Sequence, residues 1–183
     1  MFIKVKDIEL RNLEFDESIS PGIIDLGPDV KQTAPLQAAG RAELVREHRG
    51  ARKTVDDIRL VGRFSTDIEL RCARCLDPVA NAVSETFDLI YRPLGVDAVA
   101  DEASISRAET EIGYYQGEGL LLEDVLKEQI LLALPVKQVC SAGCKGLCPH
   151  CGTNLNTGSC NCAVSVPDVR WSALEDIRRK LER

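Results

Sequence analysis

Eight cysteines fall in this chain as Cys72-x2-Cys75 and then, far downstream, as Cys140-x3-Cys144-x3-Cys148-x2-Cys151-x8-Cys160-x-Cys162. A spacing of two residues lets one turn aim both sulfurs at a single point. Zn²⁺ accepts four such thiolates in a tetrahedron at about 2.3 Å, with no d-electron preference for geometry. The set therefore predicts two closed zinc sites with no thiol left over. Cys148-Pro149-His150-Cys151-Gly152 is the stronger half-site, because Pro149 stiffens the turn and Gly152 permits the positive φ that points the following N–H groups back at the sulfurs. A framework of four disulfides and iron–sulfur ligation are the competing uses of the same spacing. Disulfide-dense domains are small and secreted, whereas this chain has 183 residues and opens Met1-Phe2-Ile3-Lys4-Val5, without the long apolar run of a secretory leader.

Which cysteines share a metal is a question of loop length. Cys148, Cys151, Cys160 and Cys162 lie within fifteen residues, so the loop they close costs little entropy. That grouping leaves Cys72 and Cys75 to join Cys140 and Cys144 as a staple across the 64 residues from 76 to 139. The alternative collects Cys140, Cys144, Cys148 and Cys151 and assigns Cys160 and Cys162 to the first pair. The first arrangement is preferred.

The chain is long enough for one good core with an appended metal module. Its composition, 44% hydrophobic and 28% charged, is that of an ordinary globular protein, and no run approaches the ~18 apolar residues of a membrane span. A reducing cytoplasm is the expected location. The formal net charge of −6 is unevenly spread: residues 85–128 hold eleven acids against three bases, and residues 41–63 hold seven bases against four acids. Two all-thiolate zinc sites would each add −2, taking the loaded protein to roughly −10. A global attraction to nucleic acid is thereby excluded, and any RNA contact must be local.

The elements that must hold the cysteines are readable around them. Ile58, Leu60, Gly62, Phe64, Thr66, Ile68, Leu70 and Cys72 alternate with polar positions, the period of a long half-buried strand, and Val79, Val83, Phe87, Leu89 and Tyr91 repeat it. Cys72-Ala73-Arg74-Cys75 is thus placed at the tip of a long antiparallel hairpin. Earlier strands are expected at 2–6 and 34–45, followed by a basic hairpin loop from Arg46 to Lys53. Residues 93–108 read as a solvated acidic loop. Leu122, Val125, Leu126, Gln129 and Ala133 recur at helical spacing behind Glu123 and Asp124, and Pro135 ends the run, so 120–134 is expected to be a buried helix. Pro167-Asp168 can open a last helix with Trp171, Leu174, Ile177 and Leu181 on one face and Arg178, Arg179, Lys180 and Arg183 on the other. The predicted fold is α+β. An antiparallel, strand-rich, barrel-like core with its helix occupies 1–136, and a Cys-rich zinc module with the C-terminal helix occupies 137–183, packed as one unit with the core.

The strand leading into Cys72-Ala73-Arg74-Cys75-Leu76, the helix closing in Leu132-Ala133-Leu134-Pro135, the segment Cys144-Lys145-Gly146-Leu147-Cys148-Pro149-His150-Cys151-Gly152-Thr153-Asn154-Leu155-Asn156 and the ending Pro167-Asp168-Val169-Arg170-Trp171-Ser172-Ala173-Leu174 together resemble the YceD family, the large ribosomal RNA subunit accumulation proteins. The motifs are specific from about residue 58 onward. The resemblance implies a cytoplasmic or plastid factor for the synthesis, processing or stability of large-subunit ribosomal RNA, and it carries over no catalytic residue. Arg46, Arg49, Arg52 and Lys53 in the basic loop, with Arg74, Lys137, Lys145 and His150 around the zinc module, are the candidate contacts with large-subunit RNA or a ribosomal protein. No membrane and no small-molecule substrate are expected.

Two other classes are weighed against a non-catalytic factor. A zinc-dependent or dithiol redox enzyme would need an open metal position or a free dithiol at a helix N-terminus. Cys72 and Cys75 instead lie between strands, and His48, flanked by Arg46, Glu47 and Arg49, reads as a loop residue. A zinc-ribbon adaptor that docks a protein is the third class; the long strand hairpin weighs against direct DNA reading.

Overall fold

The computed structural model describes residues 1–48, 54–96 and 112–162, together with Leu174, Ile177 and Arg178. Its elements run β1 (Phe2–Lys4), α1 (Val5–Leu10), β2 (Leu13–Ile19), β3 (Val30–Gln32), β4 (Leu36–His48), β5 (Thr54–Arg71), β6 (Pro78–Pro93), β7 (Ile112–Tyr115), β8 (Gly119–Leu121) and α2 (Leu122–Ala133). Six strands form one sheet in the order β2-β4-β5-β6-β7. β3 takes over the β4 side of β5 once β4 has ended, pairing Val30 with Leu70 and Gln32 with Ile68. All pairs in it are antiparallel except β6–β7, where Ile90 faces Ile112. β1 and β8 make a separate two-stranded ribbon.

β5 is the spine of the fold. Its alternation puts Ile58, Leu60, Phe64, Ile68 and Leu70 into the core, where they meet Phe15, Leu36, Ala38, Ala42, Val83 and Phe87 from the flanking strands. The register is set where side chains are missing as well as where they are large. Gly40 lies opposite Gly62, and a Cβ on Gly40 would sit 2.3 Å from the Val61 carbonyl oxygen and 2.8 Å from the Phe15 ring. The Phe15 and Phe87 rings thus lie directly over bare backbone. Helix α2 adds Leu122, Val125, Leu126 and Ile130 to the same core, a gross contribution of roughly 6–12 kcal/mol at 1.5–3 kcal/mol per buried side chain. At the end of β5 away from the cysteines, Arg92 grips Asp57 through two hydrogen bonds of 3.2 and 2.8 Å and also pairs with Glu47; Arg92 and Asp57 are both buried.

Several expectations are corrected. The sheet is not closed into a barrel: among the described residues no pairing joins β2 to β7. The first strand stops at Lys4 because β8 offers partners only for Phe2–Lys4, and the chain turns into α1, which buries Ile8. β4 extends to His48, so Arg46 lies in a strand opposite Asp56 rather than in a loop. The helix starts at Leu122 because 119–121 pair with β1. It is half-buried, with Ile130 rather than Gln129 inside and Leu132 exposed. Short β2, β3, β7 and β8 were not anticipated. Of the last helix, Leu174, Ile177 and Arg178 are helical, and Leu174 and Ile177 are 54% and 52% exposed. Trp171, Arg179, Lys180, Leu181, Arg183 and most of the acidic loop lie outside the described residues.

Candidate metal centres

The β5–β6 ladder ends at the Arg71–Pro78 pair, and the six residues between form a knuckle. The Cys72 N–H donates to the Asp77 carbonyl at 2.9 Å and the Leu76 N–H to the Cys72 carbonyl at 3.0 Å, with Leu76 at φ 64°. Two stretches of later chain dock on this knuckle through its backbone. The Ala73 N–H donates to the Gln138 carbonyl at 2.8 Å, the Leu147 N–H donates to the Arg74 carbonyl at 3.0 Å, and the Arg74 guanidinium donates to the Cys144 carbonyl at 2.9 Å. Cys72, Cys75, Cys140 and Cys144 are thereby gathered with all four sulfurs within 4.8 Å of one another. Val79, Val139 and Leu147 pack around them as a small apolar cluster apart from the main core.

The separations within this quartet are those of a site that could hold a metal. The Cys72–Cys144 sulfurs are 3.8 Å apart and the Cys75–Cys140 sulfurs 3.6 Å. A disulfide needs about 2.05 Å, whereas the edge of a tetrahedron whose centre lies 2.3 Å from each sulfur is about 3.8 Å. The quartet has the dimensions of a tetrathiolate metal site. N–H donors already face it, with Cys140 and Arg74 amides 3.4 and 3.5 Å from the Cys72 sulfur and the Asn156 side-chain amide 3.4 Å from the Cys144 sulfur.

Cys148, Cys151, Cys160 and Cys162 make a second quartet of the same kind. Its knuckle repeats the first bond for bond. The Cys148 N–H donates to the Thr153 carbonyl at 2.8 Å and the Gly152 N–H to the Cys148 carbonyl at 2.9 Å, with Gly152 at φ 72°. Leu76 occupies the position that Gly152 holds here, so the first knuckle carries a left-handed non-glycine residue whose side chain is 52% exposed. The quartets differ in access: Cys72, Cys75 and Cys144 are buried and Cys140 exposed, whereas in the second only Cys148 is buried.

Within each quartet four thiols cannot all ionise so close together, and their acidities separate. The Cys75 backbone N–H is the main cause that brings Cys72 down to about 6, and the Thr153 hydroxyl, 3.1 Å away, brings Cys151 to about 6. The Asn156 amide lowers Cys144, and the Cys151 N–H lowers Cys148. The other four go up. Cys140 is raised by Cys144, and Cys162 is pushed to about 12 by Cys151. For Cys75 and Cys160 the help of the Asp77 and Cys162 N–H groups is outweighed by burial and neighbouring thiols. A dication held by each quartet would replace the protons that remain.

The observed grouping is the local arrangement preferred on loop length. The proposed contact residues are not brought together. Arg46 pairs with Asp56 at 3.2 Å near one end of β5, while Arg74, Lys137, Lys145 and His150 are exposed around the knuckles at the other, a contour of roughly 50 Å along the strand at 3.3 Å per residue. Arg49, Arg52 and Lys53 lie outside the described residues, as does the His48 side chain. Sequence reasoning missed Asp77, Thr153 and Asn156, which face the sulfurs, and Asn154, which holds Asp77 and Asn156. The Gly152-Thr153-Asn154-Leu155-Asn156 run, dense in residues that bond their own backbone, was the available signal.

A sequence model of the family described as "Large ribosomal RNA subunit accumulation protein YceD" matches residues 60–178, a span that includes all eight cysteines. An uncharacterized protein of Mycobacterium tuberculosis strain H37Rv is 34% identical over 107 residues, 58% of this chain and 48% of the relative. The "Large ribosomal RNA subunit accumulation protein YCED homolog 1, chloroplastic" of Arabidopsis thaliana is 23% identical over 147 residues, 69% of this chain and 46% of the relative. Its maize namesake is 28% identical over 131 residues, 57% of this chain and 44% of the relative. The chain thus spans about half the length of the curated relatives it matches. No solved structure matches it significantly.

Proposed function

Because this chain belongs to the YceD family of large ribosomal RNA subunit accumulation proteins, we propose that it is a non-catalytic zinc protein of the cytoplasm that supports the accumulation of large-subunit ribosomal RNA, by contact with that RNA or with a ribosomal protein of the assembling subunit. The observation that carries the reading is the coincidence of the family match with two tetrathiolate quartets. Zinc held by Cys72, Cys75, Cys140 and Cys144, and by Cys148, Cys151, Cys160 and Cys162, supplies cross-linking: closed thiolate sites add folding energy and present no open position for a substrate. Support for the absence of catalysis comes from the engagement of every cysteine in a quartet. No helix among the described residues is long and apolar enough to cross a membrane.

Charge shapes how such a protein would meet RNA. Arg71, Arg74, Lys137 and Lys145 at the knuckle end are roughly cancelled by the −2 of each zinc–thiolate centre, so binding there would depend on shape and hydrogen bonding more than on counterion release. The test is depletion in cells, read as the ratio of mature large-subunit to small-subunit RNA, with crosslinking to identify the contact. A lowered ratio is expected; an unchanged ratio overturns the reading.

A further inference from the structure

Hydrogen bonds from two asparagine side chains tie the loop of the second quartet to the first quartet and its knuckle. Asn154 and Asn156 sit between Cys151 and Cys160, in the loop that the second quartet closes. Yet both reach the first. The Asn156 amide nitrogen is 3.4 Å from the Cys144 sulfur and 3.0 Å from Asn154 Oδ1, and its Oδ1 accepts the Lys145 N–H at 2.8 Å. The Asn154 amide nitrogen donates to Asp77 Oδ2 at 2.8 Å, and its Oδ1 accepts the Asn156 N–H at 3.0 Å. Asp77 closes the first knuckle through its carbonyl. Both amide orientations are fixed by their partners: a backbone N–H requires Oδ1 on its side, and a carboxylate requires Nδ2 on its side.

We propose that Asn154 and Asn156 are positioning residues that couple the first metal centre to the loop of the second, so that metal retention at Cys72, Cys75, Cys140 and Cys144 depends on an amide carried by that loop. Sequence position alone assigns these asparagines to the second quartet; the bonds assign their effect to the first. The physical reason is that an N–H donor to a ligating sulfur stabilises its thiolate form and fixes its direction, and loss of such an outer partner typically costs 10–100-fold in metal affinity. The inference rests on the zinc reading above.

Asn156→Asp is the informative variant. It is isosteric and keeps the acceptor for the Lys145 N–H, but it turns the donor beside Cys144 into a carboxylate. The zinc-loaded full chain is challenged with EDTA and iodoacetamide, and alkylation of each cysteine is followed by peptide mass spectrometry. Alkylation of Cys140 and Cys144 is expected to quicken at least tenfold in Asn156→Asp, with Cys160 and Cys162 within about twofold of the wild type. Asn156→Asp behaving like the wild type overturns the proposal, as does quickening confined to Cys160 and Cys162, the result expected if Asn156 serves only its own loop through the 3.0 Å bond to Asn154 Oδ1. Asn154→Ala guards against misfolding of the first variant, since it cuts the link to Asp77 and the two bonds Asn154 Oδ1 accepts from Asn156 while the Asn156 side chain keeps its partners Cys144 and Lys145; the first quartet should again open first, and simultaneous opening of both overturns the proposal. A zinc-loaded wild type with an indifferent Asn156→Asp removes this inference alone, whereas a wild type that holds no zinc removes it together with the zinc reading.

Discussion

Replacing Cys75 by Ser should destabilise the strand core far more than replacing Cys160 by Ser, although each change removes one thiolate of four. Cys75 and Cys140 are 65 residues apart, and their centre ties the β5–β6 tip to the chain beyond α2. Cys151 and Cys160 close a loop of only about nine residues inside the C-terminal segment. Chain-closure entropy grows as (3/2)RT ln n, so the two cross-links restrict the unfolded chain by amounts that differ by about 1.8 kcal/mol. The bond chemistry lost is the same, which leaves the loop as the difference. Urea unfolding followed by far-UV circular dichroism reads the sheet. With an m-value near 2 kcal/mol/M, the midpoint of Cys75→Ser should lie about 0.9 M below that of Cys160→Ser. Coincident midpoints, or a lower one for Cys160→Ser, would refute the assignment of the long staple to the sheet.

Zinc affinity should fall with falling pH and fall more steeply below about pH 6. Cys72 and Cys151 are lowered to about 6 from a usual value near 9, so each is already a thiolate at neutral pH and becomes one more proton for zinc to displace at its centre only as pH drops through 6; a colorimetric zinc titration across pH 5–9 checks it, and a flat profile contradicts it. Gly40→Ala should cost about 3 kcal/mol, since the new methyl meets the Val61 carbonyl at 2.3 Å and the Phe15 ring at 2.8 Å, while Gly143→Ala, with nothing within 4 Å, should be neutral by the same urea assay. Leu76→Gly should raise Tm by about 2–4 °C, because it relieves roughly 1 kcal/mol of left-handed strain. A fall in Tm would mean that the exposed Leu76 side chain stabilises the knuckle in a way its exposure does not suggest.

The parts legible in sequence were those written in long periods or in ligand chemistry. β5 and β6 carry an alternation long enough to be unmistakable, and the cysteine grouping follows from loop length. What escaped is short or set by partners. β1 and β8 are three residues each, and their existence depends on each other rather than on any local pattern. β7 joins β6 in parallel, a contact that no local pattern announces. Arg46 illustrates the limit of charge patterning: a run of bases looked like a loop, yet Glu47, Asp56 and Asp57 were interleaved with it and pair Arg46 and Arg92 within strands. Asn156, which faces Cys144, and Asn154, which bonds Asp77, were visible as residues but not as partners of the first quartet and its knuckle, because their reach crosses from one quartet to the other.

The long staple also has a consequence in time. A ribosome adds about 5–20 residues per second, so the 64 residues between Cys75 and Cys140 take roughly 3–13 s to synthesise. Throughout that interval the first knuckle is a bare dithiol on a nascent chain, and two sulfurs hold zinc far more weakly than four. The second centre has no such wait, since its first and last cysteines are separated by 13 residues. Zinc at the first centre would therefore arrive only after β6, β7, β8 and α2 have all been made, and its capture would mark the moment at which both ends of the long staple are present, with the second quartet still to be synthesised.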